Sequence, residues 1–228
     1  MRRDFFKFPR TPYLWWPLER TPKNDRVLDP ISVREFLSAE IIVEEKIDGA
    51  NLGFSVGECG EVRPQNRGSW LENGDHPQFY PMWAWLAQRE SLLKEIIGID
   101  RMFFGEWCYA VHSVCYDRLP DWFLGFDVYD FATGRFWSTQ RRDNVFKLAG
   151  IREVPRLFEG KATLADLQMM LRSEQSRVGT GPIEGLYLRR EGPEWLDQRA
   201  KLVRPEFLAA IEEHWSSRPL KHNKLVTV

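Results

Sequence analysis

A lysine followed two residues later by an acid and then a glycine, Lys46-Ile47-Asp48-Gly49, is the sharpest chemical feature of the chain. At the end of a strand, before a turn, such a lysine can hold an amine nucleophile over a ligand. An ordinary lysine, pKa about 10.4, is almost wholly protonated at pH 7, a deficit of ~4.6 kcal/mol. A site that uses Lys46 as a nucleophile is therefore expected to lower its pKa by desolvation and nearby cations. Taken alone, the same four residues also fit a hairpin turn with a solvated lysine. Cys108, His112 and Cys115 offer three zinc-type donors in a C-x3-H-x2-C spacing with no fourth nearby, and a loop joining two strands is the alternative. The aromatic run Phe79, Tyr80, Trp83 and Trp85 is expected to lie on a helix and to form core.

Further segments follow Lys46 in order: Arg67-Gly68, Phe104-Gly105-Glu106-Trp107, Phe123-Leu124-Gly125-Phe126-Asp127-Val128, Glu184-Gly185-Leu186-Tyr187-Leu188 and Arg199-Ala200-Lys201-Leu202-Val203. This series resembles the ordered motifs of the covalent nucleotidyltransferases, the polynucleotide ligases and mRNA capping enzymes. In detail the chain resembles the nick-sealing branch of the ATP-dependent RNA ligase family. Lys7-Phe8-Pro9-Arg10-Thr11-Pro12, and Gly105-Glu106 together with His112-Ser113, carry the same resemblance. It extends over about residues 4–207.

The resemblance implies an ATP-dependent RNA ligase that joins a 5′-phosphate end to a 3′-OH end in RNA repair. Lys46 would attack the α-phosphate of ATP and become a lysyl-adenylate; AMP would pass to the 5′-phosphate, and the 3′-OH would displace it. Lys201 would neutralise charge on the α-phosphate. Glu106 would hold a ribose hydroxyl, and Arg67 would contact ribose or phosphate, a surface loop being its other reading. Phe126 would stack on adenine, with a core phenylalanine as the alternative. Glu184 would position Mg²⁺ or Mn²⁺ through water, because Mg²⁺ dehydrates reluctantly. Asp48 would fix the loop and assist transfer of AMP. Glu45 would be a nucleotide contact or an exposed strand residue, and His112 would face the substrate. The family's second lysine of the last motif is replaced by Val203; Arg199 or Arg204 could supply that cation and touch substrate, but neither donates a proton at neutral pH. A ligase of DNA or mixed nicks, or an inactive module that binds nucleic-acid ends, is the alternative function.

These residues must be carried by definite elements. Residues 41–46 and 51–56 read as strands around the turn at Asp48-Gly49. Pro81 to Ile97 has helical spacing and stops at Gly98. Strands are expected at 101–107, 122–129, 184–190 and 199–203. Helices capped by Ser138 or Thr139 and by Thr163 should run to Leu148 and about Ser173, and Pro205 should open a last helix to about Trp215. Mixed strands and helices without βαβ alternation indicate an α+β nucleotidyltransferase domain of two antiparallel sheets flanked by helices. One domain spanning 1–228 is expected, its helix and tail at 205–228 leaving no room for an additional C-terminal domain.

Composition narrows the partners. The 228 residues carry 32 Lys+Arg against 33 Asp+Glu, a formal charge of −1, so no global field draws in nucleic acid. Substrate would bind a local groove, aided by the tail residues Arg218, Lys221 and Lys224 or by a partner protein. Twenty-three of the basic residues are Arg, the better fork for phosphate. Three cysteines in an odd count argue against a disulfide framework. No apolar run approaches the ~20 residues of a membrane span and the N-terminus lacks a signal-peptide core, so a soluble, cytoplasmic protein is expected.

Overall fold

The structure, a computed structural model, describes residues 5–18, 26–210 and 220–226. The expected end of the last helix and Arg218 lie outside them. Two mainly antiparallel sheets dominate. The first has the strand order β10 (Leu196–Val203), β9 (Gly185–Glu191), β1 (Ile41–Lys46), β8 (Arg156–Gly160). The second has the order β3 (Val62–Gln65), β2 (Ala50–Val56), β4 (Arg101–Trp107), β5 (Phe123–Asp130), β6 (Arg135–Phe136), with the short parallel β7 (Arg152–Glu153) beside β5.

Strand alternation gives each sheet a helix-covered face and a face toward its partner. Ile41 and Val43 of β1, Leu186 and Leu188 of β9, and Ala200 and Leu202 of β10 pack with α1 (Pro30–Phe36) and α5 (Leu164–Ser173). Leu52, Phe54, Phe103, Trp107 and Phe123 pack under α2 (Tyr80–Ala87), α3 (Glu90–Ile97) and α4 (Thr139–Leu148). Burying such side chains stabilises by roughly 1.5–3 kcal/mol each. The opposite faces carry the chemistry.

The strands around Asp48-Gly49 do not pair with each other: β1 belongs to one sheet and β2 to the other. The expected hairpin turn is instead a crossing between sheets. A Cβ on Gly49 would sit 2.8 Å from the carbonyl oxygen of Trp107, so the crossing needs a glycine. The helix expected over 81–97 is two helices, broken at Gln88 and Arg89. Trp85 and Leu86 of α2 and Leu93 and Ile97 of α3 nevertheless bury in one cluster against the second sheet. Gly98, at φ +56°, ends α3 as expected. Ser138 caps α4, and Thr163 with Asp166 forms a reciprocal capping box on α5. Of the aromatic run, Phe79 and Trp85 are core, Trp83 is half-buried, and Tyr80 is exposed.

Candidate active site

Lys46 ends β1 on the inner face, where its register partner is Gly185. Glu184 therefore meets it across the strands. Nζ of Lys46 donates to both carboxylate oxygens of Glu184, at 2.7 and 2.6 Å. Burial alone would lower the lysine pKa, but the carboxylates of Glu184, Asp48 and Glu106 reverse this and hold the ammonium above the usual lysine range. The depressed lysine expected from the sequence is not found. Its neighbours are acids, and they stabilise the charged amine.

A cavity of about 190 Å³ opens beside Lys46 between the sheets. Glu106 of β4 and Asn51 of β2, opposite each other in register, form one wall. Burial, aided by Asp48 and Glu184 and opposed by Lys46 and Arg67, pushes Glu106 up to about 8. Its Oε2 is buried without a hydrogen-bond partner. Arg67 stands at the rim on a turn closed by the Asn66 side chain, which accepts from Gly68 and Ser69 N–H. Lys201 enters from β10, its Nζ 4.1 Å above the Tyr13 ring and its backbone bonded to the 12–14 segment.

Phe126 reaches the cavity through an irregularity in β5. Phe104 pairs with Asp127 and Gly105 with Gly125, so Phe126 is the extra residue of a β-bulge. Bulges re-aim side chains. Its freed carbonyl accepts from Arg142 and Arg189 at 2.7 and 3.2 Å, and its ring packs edge-on against Phe8 at 5.2 Å.

Asp48 lies just past Lys46. Its Oδ2 accepts from the N–H groups of Ser113 (2.5 Å) and Val114 (3.0 Å), while its own N–H donates to the Tyr116 hydroxyl (2.8 Å). This fixes the 48–49 turn to the loop that joins β4 and β5.

Residues 39–203 match the family model described as RNA ligase. The chain belongs to the RNA ligase family. Among solved structures, the RNA ligase of Naegleria gruberi is similar in fold. A mutant with ATP and Mn superposes with TM-score 0.64 at 15% identity, covering 78% of this chain and 54% of that one. The same ligase with pyrophosphate gives TM-score 0.63 at 15% identity, covering 81% and 55%. The chain thus spans about half the length of these relatives. A search of curated proteins finds no match.

The RNA ligase family member brings Glu45, Lys46, Arg67, Glu106, Phe126 and Lys201 around one cavity, with Glu184 and Asp48 adjoining. Glu45 lines the cavity, and its carboxylate accepts from Arg177 N–H at 2.8 Å, which ties that loop to β1. Other expectations are corrected. Arg199 is spent on Asp127 (2.8 Å) and Tyr187 (3.2 Å) beneath Phe8 and Phe136. Arg204 caps the C-terminus of α5 through the carbonyls of Leu171 and Arg172, both at 3.4 Å. Neither supplies a second cation to the cavity. His112 is half-buried, with Nε2 3.0 Å from Gln78 Oε1 and a bond to the Gly49 backbone; it braces the turn. Burial lowers its pKa, so the ring is held neutral. Among the described residues no group of three or more His, Cys, Asp or Glu is placed to hold a metal, which removes the zinc reading.

Glu44 and Asn51 are among the cavity residues that were not anticipated. Glu44 is fully buried; one oxygen bonds Arg142 at 2.6 Å, and the other has no hydrogen-bond partner, 3.9 Å from Arg189. Asn51 presents a buried Oδ1 with no partner. Period two from Lys46 back to Glu44 was the available signal for the first. Asn51 carried none, because its neighbourhood depends on β2 pairing with β4.

Proposed function

We propose that the chain is an ATP-dependent RNA ligase that acts through a lysyl-adenylate on Lys46. The observation that carries this reading is the Lys46–Glu184 pair at a cavity walled by Glu106, Arg67, Phe126 and Lys201. Nζ of Lys46, once deprotonated, attacks the α-phosphorus of ATP; a P–N bond forms, the bond to the bridging oxygen breaks, and pyrophosphate leaves. AMP then moves to an RNA 5′-phosphate, and a 3′-OH displaces it to seal the strand. Arg67 and Lys201 offset charge on the phosphates during these transfers. Phe126 stacks on the base, and Glu106 holds the ribose.

The buried Glu184 carboxylate fits a Mg²⁺ or Mn²⁺ ion that it would hold through water, with substrate phosphates completing the oxygen shell, while the unpartnered Glu106 Oε2 is an acceptor suited to a ribose hydroxyl. Bound there, the ion supplies positive charge against the triphosphate. Glu184, which accepts from Lys46 Nζ at both oxygens, would then divide its charge between the ammonium and the hydrated ion.

The test is intact mass after incubation with ATP and Mg²⁺ or Mn²⁺. The wild type should gain one AMP, and Lys46→Ala should not. Labelling that persists in Lys46→Ala, or wild type that never labels, overturns the reading.

A further inference from the structure

Segment 220–226 lies along the loop that joins β4 to β5 and reaches both of its arms. On one arm Val111 N–H donates to the Lys221 carbonyl (2.8 Å); on the other Leu119 N–H donates to the Lys224 carbonyl (3.0 Å). Between them sits Asn223, 3% exposed. Its Nδ2 donates to the carbonyls of Cys108 (2.8 Å) and Ala110 (3.1 Å), and its Oδ1 accepts from Tyr116 N–H (2.8 Å). One carboxamide thus uses both donors and its acceptor to tie the start of the loop to its return. Asparagine and glutamine alone offer donors and an acceptor from one planar group.

The other side of this loop grips the turn after Lys46. Ser113 and Val114 donate to the Asp48 carboxylate, and Tyr116 accepts from the Asp48 N–H. Tyr116 therefore joins both halves of the connection: its N–H is held by Asn223, and its hydroxyl holds Asp48. We propose that segment 220–226 is a strap that sets the geometry of the Asp48 turn, with Asn223 as its positioning residue. On the ligase reading given above, the strap governs how well Lys46 is presented to ATP. It leaves the cavity walls that grip the nucleotide untouched, since Arg67, Glu106 and Phe126 lie outside the strapped loop.

The experiment compares full-length wild type, Asn223→Ala and Tyr116→Phe by hydrogen exchange and by single-turnover adenylation. In Asn223→Ala, amides of 110–117 and 47–50 should exchange faster while β9 and β10 keep their protection. Adenylation should slow by roughly 10- to 100-fold, the cost of small misplacements of reacting groups, with little change in the ATP concentration for half-maximal rate. Tyr116→Phe removes one hydroxyl and keeps the ring, so it should fold and show the same split. The double variant should lose less than the product of the two single effects. Faster exchange confined to 220–226, or an unchanged adenylation rate in both variants, overturns the proposal. If wild type never labels, the ligase reading fails, and the exchange pattern at 47–50 still decides the strap.

Discussion

Lys46 is charged because Glu184 lies within 2.7 Å, and Glu106 is held toward its neutral form because burial outweighs Lys46. The second effect has a sign that can be measured. The folded Glu106 pKa, about 8, exceeds its ordinary value of 4.5, so between these values the folded state binds the extra proton. Stability from this group is therefore present at low pH and lost as pH rises through that window. Lys46, raised in the folded state, contributes evenly across the same window and loses its contribution only at higher pH. Melting temperature of the protein should fall between about pH 4.5 and pH 8, and Glu106→Gln should reduce that fall, the remainder coming from Glu184, which burial pushes up to about 7. Equal slopes in both proteins would assign the pH dependence elsewhere. Phe126 is 8% exposed and belongs to both core and cavity. Because a bulge aims it at open space, Phe126→Ala should cost less than the ~3–5 kcal/mol of an enclosed phenylalanine. It should raise the half-saturating ATP concentration about tenfold or more, given base-stacking worth ~1–3 kcal/mol. Phe126→Leu should recover the melting temperature and not the ATP affinity.

At the scale of elements, buried arginines join the sheets below the cavity. Arg142 of α4 bonds Glu44 of β1 and the Phe126 carbonyl of β5. Arg189 of β9 bonds Asp127 of β5 at 2.7 Å and the Trp137 carbonyl at 3.0 Å. These ions have partners on both sides, so removing one strands a buried charge. Arg189→Met should destabilise by about 3–5 kcal/mol in denaturant unfolding. Arg156→Ala, which breaks exposed pairs with Asp143 and Glu159, should cost about 1 kcal/mol or less. Comparable losses would mean that the arginine layer does not pin the sheets together.

For the whole molecule, a net charge of −1 leaves substrate attraction to local groups such as Arg67 at the cavity rim. Binding through phosphate contacts should weaken with salt. Nicked duplexes with a ribonucleotide 3′-OH should be sealed faster than all-DNA nicks, since a 2′-OH can be read directly. Using one pre-adenylated 5′ end and varying only the terminal 3′ sugars isolates that preference. Equal sealing rates would discard the RNA preference and keep the adenylation chemistry.

Local signals carried much of this protein. The caps at Ser138 and Thr163, the stop at Gly98, and strands β1, β4 and β5 were legible because capping residues, glycine and short apolar runs act over a few residues. The ordered motifs placed Lys46, Glu106, Phe126, Glu184 and Lys201 in one expected site by resemblance. Strand β8, with exposed Arg156 and Glu159 and only partly buried Leu157 and Phe158, had no such pattern. The crossing at Gly49 read as a hairpin, because whether two strands pair depends on which sheet each joins. Tertiary structure alone decided that Arg199 and Arg204 serve internal partners, that the Glu45 carboxylate meets Arg177, and that Asn223 reaches the Asp48 turn through Tyr116. A side chain's type states which bonds it can make. Only the packing of elements distant in sequence determines which partner arrives.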